Sequence, residues 1–190
     1  PVFQRADALV IVLDLSASMS AADIQPSRVQ RAKQKILDLL SRRDEGVTGL
    51  VVYAGDAHVV APLTDDRRTI ENLLSALTPD IMPLPGSNVT AALEVATGLL
   101  QTAGVANGQV LLITDGMPKF QAQEISDELA AARAELAILG VGTRSGAPIP
   151  RPDGGFLRRE NGEIVIPSFE PGVLADHAGA LGGRFTEITL

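Results

Sequence analysis

The sequence predicts an α/β fold, a doubly wound and mostly parallel sheet with one antiparallel edge strand and helices on both faces. Three observations lead there. Apolar runs of strand length alternate with segments whose apolar residues recur at helical period. Joining successive strands through helices of that length needs crossover connections, the mark of parallel pairing. The strands at 48–53 and 57–61 are separated by a connection short enough for a hairpin, which places that pair at an edge of the sheet.

Each element can be justified in turn. Residues 8–13 are a continuous apolar run, as expected of a parallel strand covered on both faces, and the run stops at Asp14. Ser27 and Gln30 then stand at capping-box spacing, and Val29, Ala32, Ile36, Leu39 and Leu40 follow at helical period. Residues 48–53 and 57–61 read as strands joined by Ala54-Gly55-Asp56. Two helices come next, one on Ile70, Leu73, Leu74 and Leu77, the other on Val89, Ala92, Leu93, Ala96, Leu99 and Leu100, with a loop at 79–87 between them. The second half repeats the alternation: strand 109–114, helix 121–134, strand 136–141, a closing helix near 171–181 stopped by Gly182-Gly183, and strand 184–188. Segment 146–169 breaks the rhythm. It is rich in Pro and Gly, and Asn161-Gly162 is a type I′ turn signal, so a small inserted β-hairpin is expected at 156–166.

Composition narrows the function. With 190 residues and 45% of them apolar, the chain is long enough for one substantial core, and residues 1–190 are expected to form a single domain. The absence of cysteine excludes disulfides and thiolate metal sites. A net charge of -7, with basic residues scattered singly or in pairs such as Arg42-Arg43, Arg67-Arg68 and Arg158-Arg159, argues against nucleic acid as a partner. No apolar run approaches the roughly 18 residues that span a bilayer, so no membrane contact by the domain itself is expected. The first five residues do not form a signal peptide.

In an open α/β sheet, ligands bind beyond the carboxyl ends of the strands. There stand Asp14-Leu15-Ser16-Ala17-Ser18 after the first strand, Asp115-Gly116 after the 109–114 strand, and Gly86-Ser87-Asn88 opening a helix between them. If these strands are neighbours, two carboxylates and several hydroxyls converge. Such a set suits a hard divalent cation, which takes about six oxygens and commonly keeps some waters. On its own, Asp-x-Ser-x-Ser reads equally well as a capped turn, because Asp and Ser are frequent at loop starts.

The three segments together resemble the metal-ion-dependent adhesion site of von Willebrand factor A domains, and the resemblance runs from about Ala8 to the end of the chain. It implies that Ser16 and Ser18 are direct hydroxyl ligands, with Asp14 and Asp115 acting largely through water or hydrogen bonds to other ligands. Ser87 falls where the family usually has threonine, with Thr90 as the less favoured alternative. The implied cofactor is Mg²⁺, with Mn²⁺ or Ca²⁺ as alternatives, and the implied partner is a protein that completes the coordination with an Asp or Glu carboxylate. A closer similarity to the bacterial Bat aerotolerance proteins is carried by Ile24-Gln25-Pro26-Ser27-Arg28, Gly49 to Ala57, Pro62-Leu63-Thr64, and Gly146-Ala147-Pro148-Ile149-Pro150 with Asp153-Gly154-Gly155-Phe156-Leu157. Those proteins are membrane-anchored, so the resemblance implies a bacterial envelope location, membrane-tethered and facing the periplasm.

Enzyme chemistry is less well supported. A Mg²⁺-dependent phosphatase or hydrolase is one alternative and a purely structural cation is another, but the sequence has no Gly-x-x-x-x-Gly-Lys-Ser/Thr loop and no paired aspartates after the first strand. Residues 140–146 imitate a dinucleotide loop, yet the third glycine is one place late and prolines follow. No Gly-x-Ser-x-Gly elbow precedes a helix. His58, His177, the Asn88-Val89-Thr90 sequon, Asp44-Glu45 and Asp65-Asp66 read as ordinary surface or helix-start residues.

Overall fold

The computed structural model describes residues 7–105 and 107–188. The leader reading for the first five residues therefore lies outside the described residues.

Strands β1 (Ala8–Asp14), β2 (Val47–Tyr53), β3 (Ala57–Thr64), β4 (Gly108–Thr114), β5 (Ala134–Gly140) and β6 (Arg184–Glu187) form one sheet in the order β3-β2-β1-β4-β5-β6. Every neighbouring pair is parallel except β2 with β3, the expected edge hairpin. Its outer strand carries Pro62, which an edge tolerates because one side needs no donor. From β1 the chain first winds outward to β2 and β3, then returns to the other side of β1 to lay down β4, β5 and β6. The strand order therefore reverses at the β1/β4 boundary, where such sheets open a crevice.

Side-chain alternation along β1 separates two cores. Val10 and Val12 face α3 (Val89–Thr102), α4 (Ala122–Ala131) and α5 (Pro171–Ala180), while Leu9, Ile11 and Leu13 face α1 (Arg28–Arg42) and α2 (Arg67–Ser75). All seven residues of β1 are buried, which is why its sequence runs apolar without interruption until the last position. Ser27 caps α1 by accepting from the Gln30 N–H, and Asp66 caps α2 by accepting from the Arg68 and Thr69 N–H groups.

Two expectations need correction. The 121–134 helix stops at Ala131, and β5 begins at Ala134, two residues earlier than predicted. Arg133 takes φ 50°, and it is the only non-glycine with positive φ among the described residues. Alanine-rich sequence favours helix, but the chain must turn there to pair β5 with β4, so tertiary pairing overrides propensity. The inserted segment does pair Arg158 with Ile164, and a second pairing joins Pro150 to Phe156. The turn between the first pair, however, is not type I′. Only Gly162 takes positive φ (86°), the Gly162 N–H donates to the Arg159 carbonyl, and Arg159 N–H donates to the Glu163 carbonyl. This is a three-residue loop ending in a left-handed glycine, which needs no positive φ at Asn161.

Candidate metal centre

Asp14 is the last residue of β1, and alternation sends its side chain to the same face as Val10 and Val12, beneath the sheet's carboxyl edge. Two neighbours on the adjoining strands meet it there. Thr114 donates its hydroxyl to Asp14 Oδ2 at 2.6 Å, and the Tyr53 hydroxyl donates to the same oxygen at 3.2 Å. All three residues are fully buried. The other oxygen, Oδ1, accepts the Ser16 N–H at 2.8 Å, which folds the loop back over the strand end. That turn brings the Ser16 and Ser18 hydroxyls within 3.1 Å of each other. A short 3₁₀ turn, Ala17–Ser20, then carries the chain away.

Asp115 follows Thr114 directly. Because β1 and β4 pair in parallel with Leu13 opposite Ile113, Asp115 emerges beside the Asp14 loop. Burial, followed by the negative charge of Asp115, pushes the Asp14 carboxyl up to about 7, and hydrogen bonds from Thr114 and Ser16 only partly offset this. The same burial and the Asp14 charge push the Tyr53 hydroxyl well above its ordinary range. The third loop is held by the backbone: Gly55 N–H donates to the Leu84 carbonyl and Asn88 N–H to the Ala54 carbonyl, pinning 84–88 against the turn after β2. A Cβ on Gly55 would lie 2.4 Å from the Pro85 carbonyl oxygen, so only glycine permits this approach. On this loop, Ser87 Oγ is closed off from solvent and makes no hydrogen bond. Thr90, the alternative to Ser87, is engaged elsewhere, accepting the Gln121 N–H at 3.1 Å.

Arg28 completes the arrangement, and the sequence reading did not single it out for this part. Fully buried, it grips Asp23 with two hydrogen bonds of 2.7 and 2.8 Å, Asp115 Oδ2 at 2.7 Å and the Pro167 carbonyl at 2.7 Å. Asp23 also accepts from Thr143 N–H and Oγ1. Burial alone would raise the Asp23 carboxyl, but the hydrogen bonds from Arg28 and Thr143 outweigh it and hold it below the usual range. One local signal did exist in the sequence. Arg28 opens α1, whose first turn holds no acidic residue, and a cation there opposes the helix dipole. An arginine so placed calls for an acidic partner elsewhere.

These residues fit a hard divalent cation. Asp23 and Asp115 share the one Arg28 guanidinium, and the Asp115 charge also acts on the buried Asp14, an excess of negative charge that a dication offsets. Ser87 has a buried oxygen with no partner, and the Ser16 and Ser18 hydroxyls lie close together. Among the described residues no three His, Cys, Asp or Glu side chains gather in one place, so a cation here would rely on hydroxyls and water beside its carboxylates. A hollow of about 560 Å³ opens at the opposite edge of the sheet beside Asp7, Arg43 and Arg67, away from these loops.

The von Willebrand factor type A domain model matches residues 9–117, more than half of the chain and inclusive of all five candidate ligands. The chain belongs to this family. Among solved structures, this von Willebrand factor A domain is 30% identical to BatB, a conserved hypothetical protein from Bacteroides thetaiotaomicron, with TM-score 0.87 over 96% of this chain and 90% of that one. It is 28% identical to an aerotolerance-related membrane protein from Bacteroides fragilis, again with TM-score 0.87, over 96% and 92% of the two chains. An uncharacterized protein of Borreliella burgdorferi is 25% identical over 95% of this chain and 53% of its own length, and a UPF0353 protein of Nocardia farcinica is 27% identical over 57% of this chain and 34% of its own. The chain thus spans about half or less of the length of these curated relatives. Among the described residues, no helix is long and apolar enough to cross a membrane.

The histidines have local roles in this domain. His58 pairs with Asp56 at 2.8 Å on the exposed edge hairpin, and His177 packs edge-on against Phe120 with ring centroids 4.6 Å apart.

Proposed function

We propose that this domain is a metal-dependent protein-interaction module, non-enzymatic, in which Asp14, Ser16, Ser18, Ser87 and Asp115 hold one Mg²⁺ and a partner's Asp or Glu carboxylate completes its coordination. The observation that carries this reading is the convergence of Asp14 and Asp115 at the ends of adjacent strands, with the Ser16 and Ser18 hydroxyls 3.1 Å apart on the loop that Asp14 folds back. Bound there, the cation would supply a concentrated positive charge to an incoming carboxylate oxygen. The chain's own residues prepare it. Thr114 and Tyr53 orient Asp14, and Arg28 occupies one oxygen of Asp115, so neither carboxylate is free to surround the ion. Neutral hydroxyls nearest the ion leave its charge available to the partner. Similarity to Bat proteins, one of which is described as a membrane protein, supports a parent tethered in the bacterial envelope, and the periplasmic face is the side proposed for this domain.

Calorimetric titration of Mg²⁺ and Mn²⁺ into chelator-treated protein tests the reading, with Asp14→Ala as the comparison. Saturable binding lost in the variant is the expected result. An absence of binding by the unaltered domain refutes it, and Mg²⁺-dependent turnover of phosphate esters that Asp14→Ala abolishes would replace it with a hydrolase.

A further inference from the structure

Both carboxylates of the candidate ion site are already engaged by the protein. Asp14 Oδ1 accepts the Ser16 N–H at 2.8 Å, and Oδ2 accepts the Thr114 hydroxyl at 2.6 Å and the Tyr53 hydroxyl at 3.2 Å. Asp115 Oδ2 accepts Arg28 Nη1 at 2.7 Å, a charge-assisted bond that leaves Oδ1 as the oxygen the guanidinium does not hold. An oxygen bonded to one cation is a weaker donor to a second, and a carboxylate fixed in this way does not turn to embrace an ion with both oxygens. Ser16, Ser18 and Ser87 bring one hydroxyl each. The side chains therefore offer their oxygens singly.

The guanidinium that restrains Asp115 is itself immobilised. Fully buried, it also places Nε and Nη2 on the two oxygens of Asp23 at 2.8 and 2.7 Å, and Nη2 on the Pro167 carbonyl at 2.7 Å. Asp23 is fixed in turn by the Thr143 N–H at 2.7 Å and the Thr143 hydroxyl at 2.9 Å. Gly142, at φ 144°, passes so close that a Cβ there would lie 3.1 Å from Arg28 Cζ and Nε. Thr143 stands just before the inserted segment and Pro167 near its end, so both ends of the insert bear on this one side chain. Arg28 cannot draw back from Asp115 without disturbing all of these contacts.

Such restraint bears on the choice of ion. Mg²⁺ takes about six oxygens at roughly 2.0–2.1 Å and keeps several waters, so ligands that give one oxygen each suit it. Ca²⁺ takes about six to eight at roughly 2.3–2.6 Å and gains from carboxylates that give two. We infer that Arg28 is a positioning residue that sets the ion preference of this site: by holding Asp115 Oδ2, while Asp23 and the Pro167 carbonyl hold it, Arg28 keeps Asp115 from offering both oxygens and so favours Mg²⁺ over Ca²⁺. The inference rests on the metal-binding reading above and adds the residue that decides between the ions. Loss of a group that orients a ligand changes metal affinity by about tenfold or more, and here the change falls unequally on the two ions.

The test is calorimetric titration of Mg²⁺ and of Ca²⁺ into chelator-treated domain at pH 7, for the unaltered protein, Arg28→Met and Arg28→Lys, with amide NMR spectra to verify folding. Charge alone acts on both dications alike, so the ratio of their affinities isolates geometry. The unaltered domain is expected to bind Mg²⁺ at least as tightly as Ca²⁺. In Arg28→Met the Ca²⁺-to-Mg²⁺ affinity ratio is expected to rise by about tenfold. Arg28→Lys keeps the charge but loses the planar fork that reaches three partners at once, so its ratio should rise as well. Tighter binding of Ca²⁺ than of Mg²⁺ by the unaltered domain overturns the inference without recourse to any variant. So does an unchanged ratio in either folded variant, and in both cases the metal reading survives. If neither ion binds the unaltered domain, both readings fall.

Discussion

Replacing Arg28 with methionine tests the arrangement most directly. The substitution keeps an unbranched stem of similar packing but removes four hydrogen bonds of 2.7 to 2.8 Å, and it leaves Asp23 and Asp115 with side chains only 2% and 9% exposed and no countercharge between them. Breaking a buried pair in this way costs about 3–5 kcal/mol, because the carboxylates lose compensation while remaining desolvated. Since domains carry roughly 5–15 kcal/mol in total, the variant should fold with much of its margin gone. The pH dependence identifies the cause. In the unaltered protein the folded Asp23 carboxyl lies below its ordinary value of 3.8, so its stabilisation is present above that pH and is lost only as the pH falls toward the folded value. Without Arg28 only the Thr143 hydrogen bonds oppose burial, the carboxyl rises, and stability should fall between about pH 4 and 7 as it ionises. Urea unfolding in EDTA at pH 7 and pH 4.5 should therefore show a penalty of about 3–5 kcal/mol at pH 7 that shrinks at pH 4.5. A loss below about 1 kcal/mol at pH 7, or an equal loss at both pH values, would refute the assigned role of the guanidinium.

Other outcomes follow from single contacts. The Asp14 carboxyl is raised from 3.8 to about 7, so the native state holds its proton more tightly than the unfolded chain. In chelator, stability should then decline as pH rises through that window, by an amount on the order of 4 kcal/mol, and Asp14→Asn should flatten the decline; parallel unfolding-midpoint curves for the two proteins would contradict this. Ser87→Ala removes a buried hydroxyl with no partner, so stability in chelator should hold or rise by up to about 1 kcal/mol while Mg²⁺ affinity drops, as paired melting and calorimetry would reveal. Gly55→Ala should lose about 1–3 kcal/mol and weaken Mg²⁺ binding together, because the added methyl meets the Pro85 carbonyl and displaces the loop carrying Ser87; an unchanged melting temperature would sink this account. Ser27→Ala should cost about 1 kcal/mol through loss of the α1 cap, without any effect on Mg²⁺ affinity.

The alternation of elements, the buried parallel strand ending at Asp14 and the edge hairpin at Ala54-Gly55-Asp56 were legible in the sequence, because each depends on periodicity or turn chemistry within one short window. So were the candidate ligands, since Asp-x-Ser-x-Ser and Thr-Asp-Gly each sit immediately after an apolar run. Tertiary structure decided what these groups touch. Arg28 reaches Asp115 across 87 positions and Pro167 across 139, and Tyr53 meets Asp14 and Thr114 only because three strands lie side by side. It also overruled local preference at Arg133, where pairing of β5 ended an alanine-rich helix, and at Asn161, where a three-residue loop replaced a type I′ turn. Local pattern encodes which face of an element is apolar. A buried ion pair depends on distances between residues remote in sequence, and those exist only once the sheet is assembled.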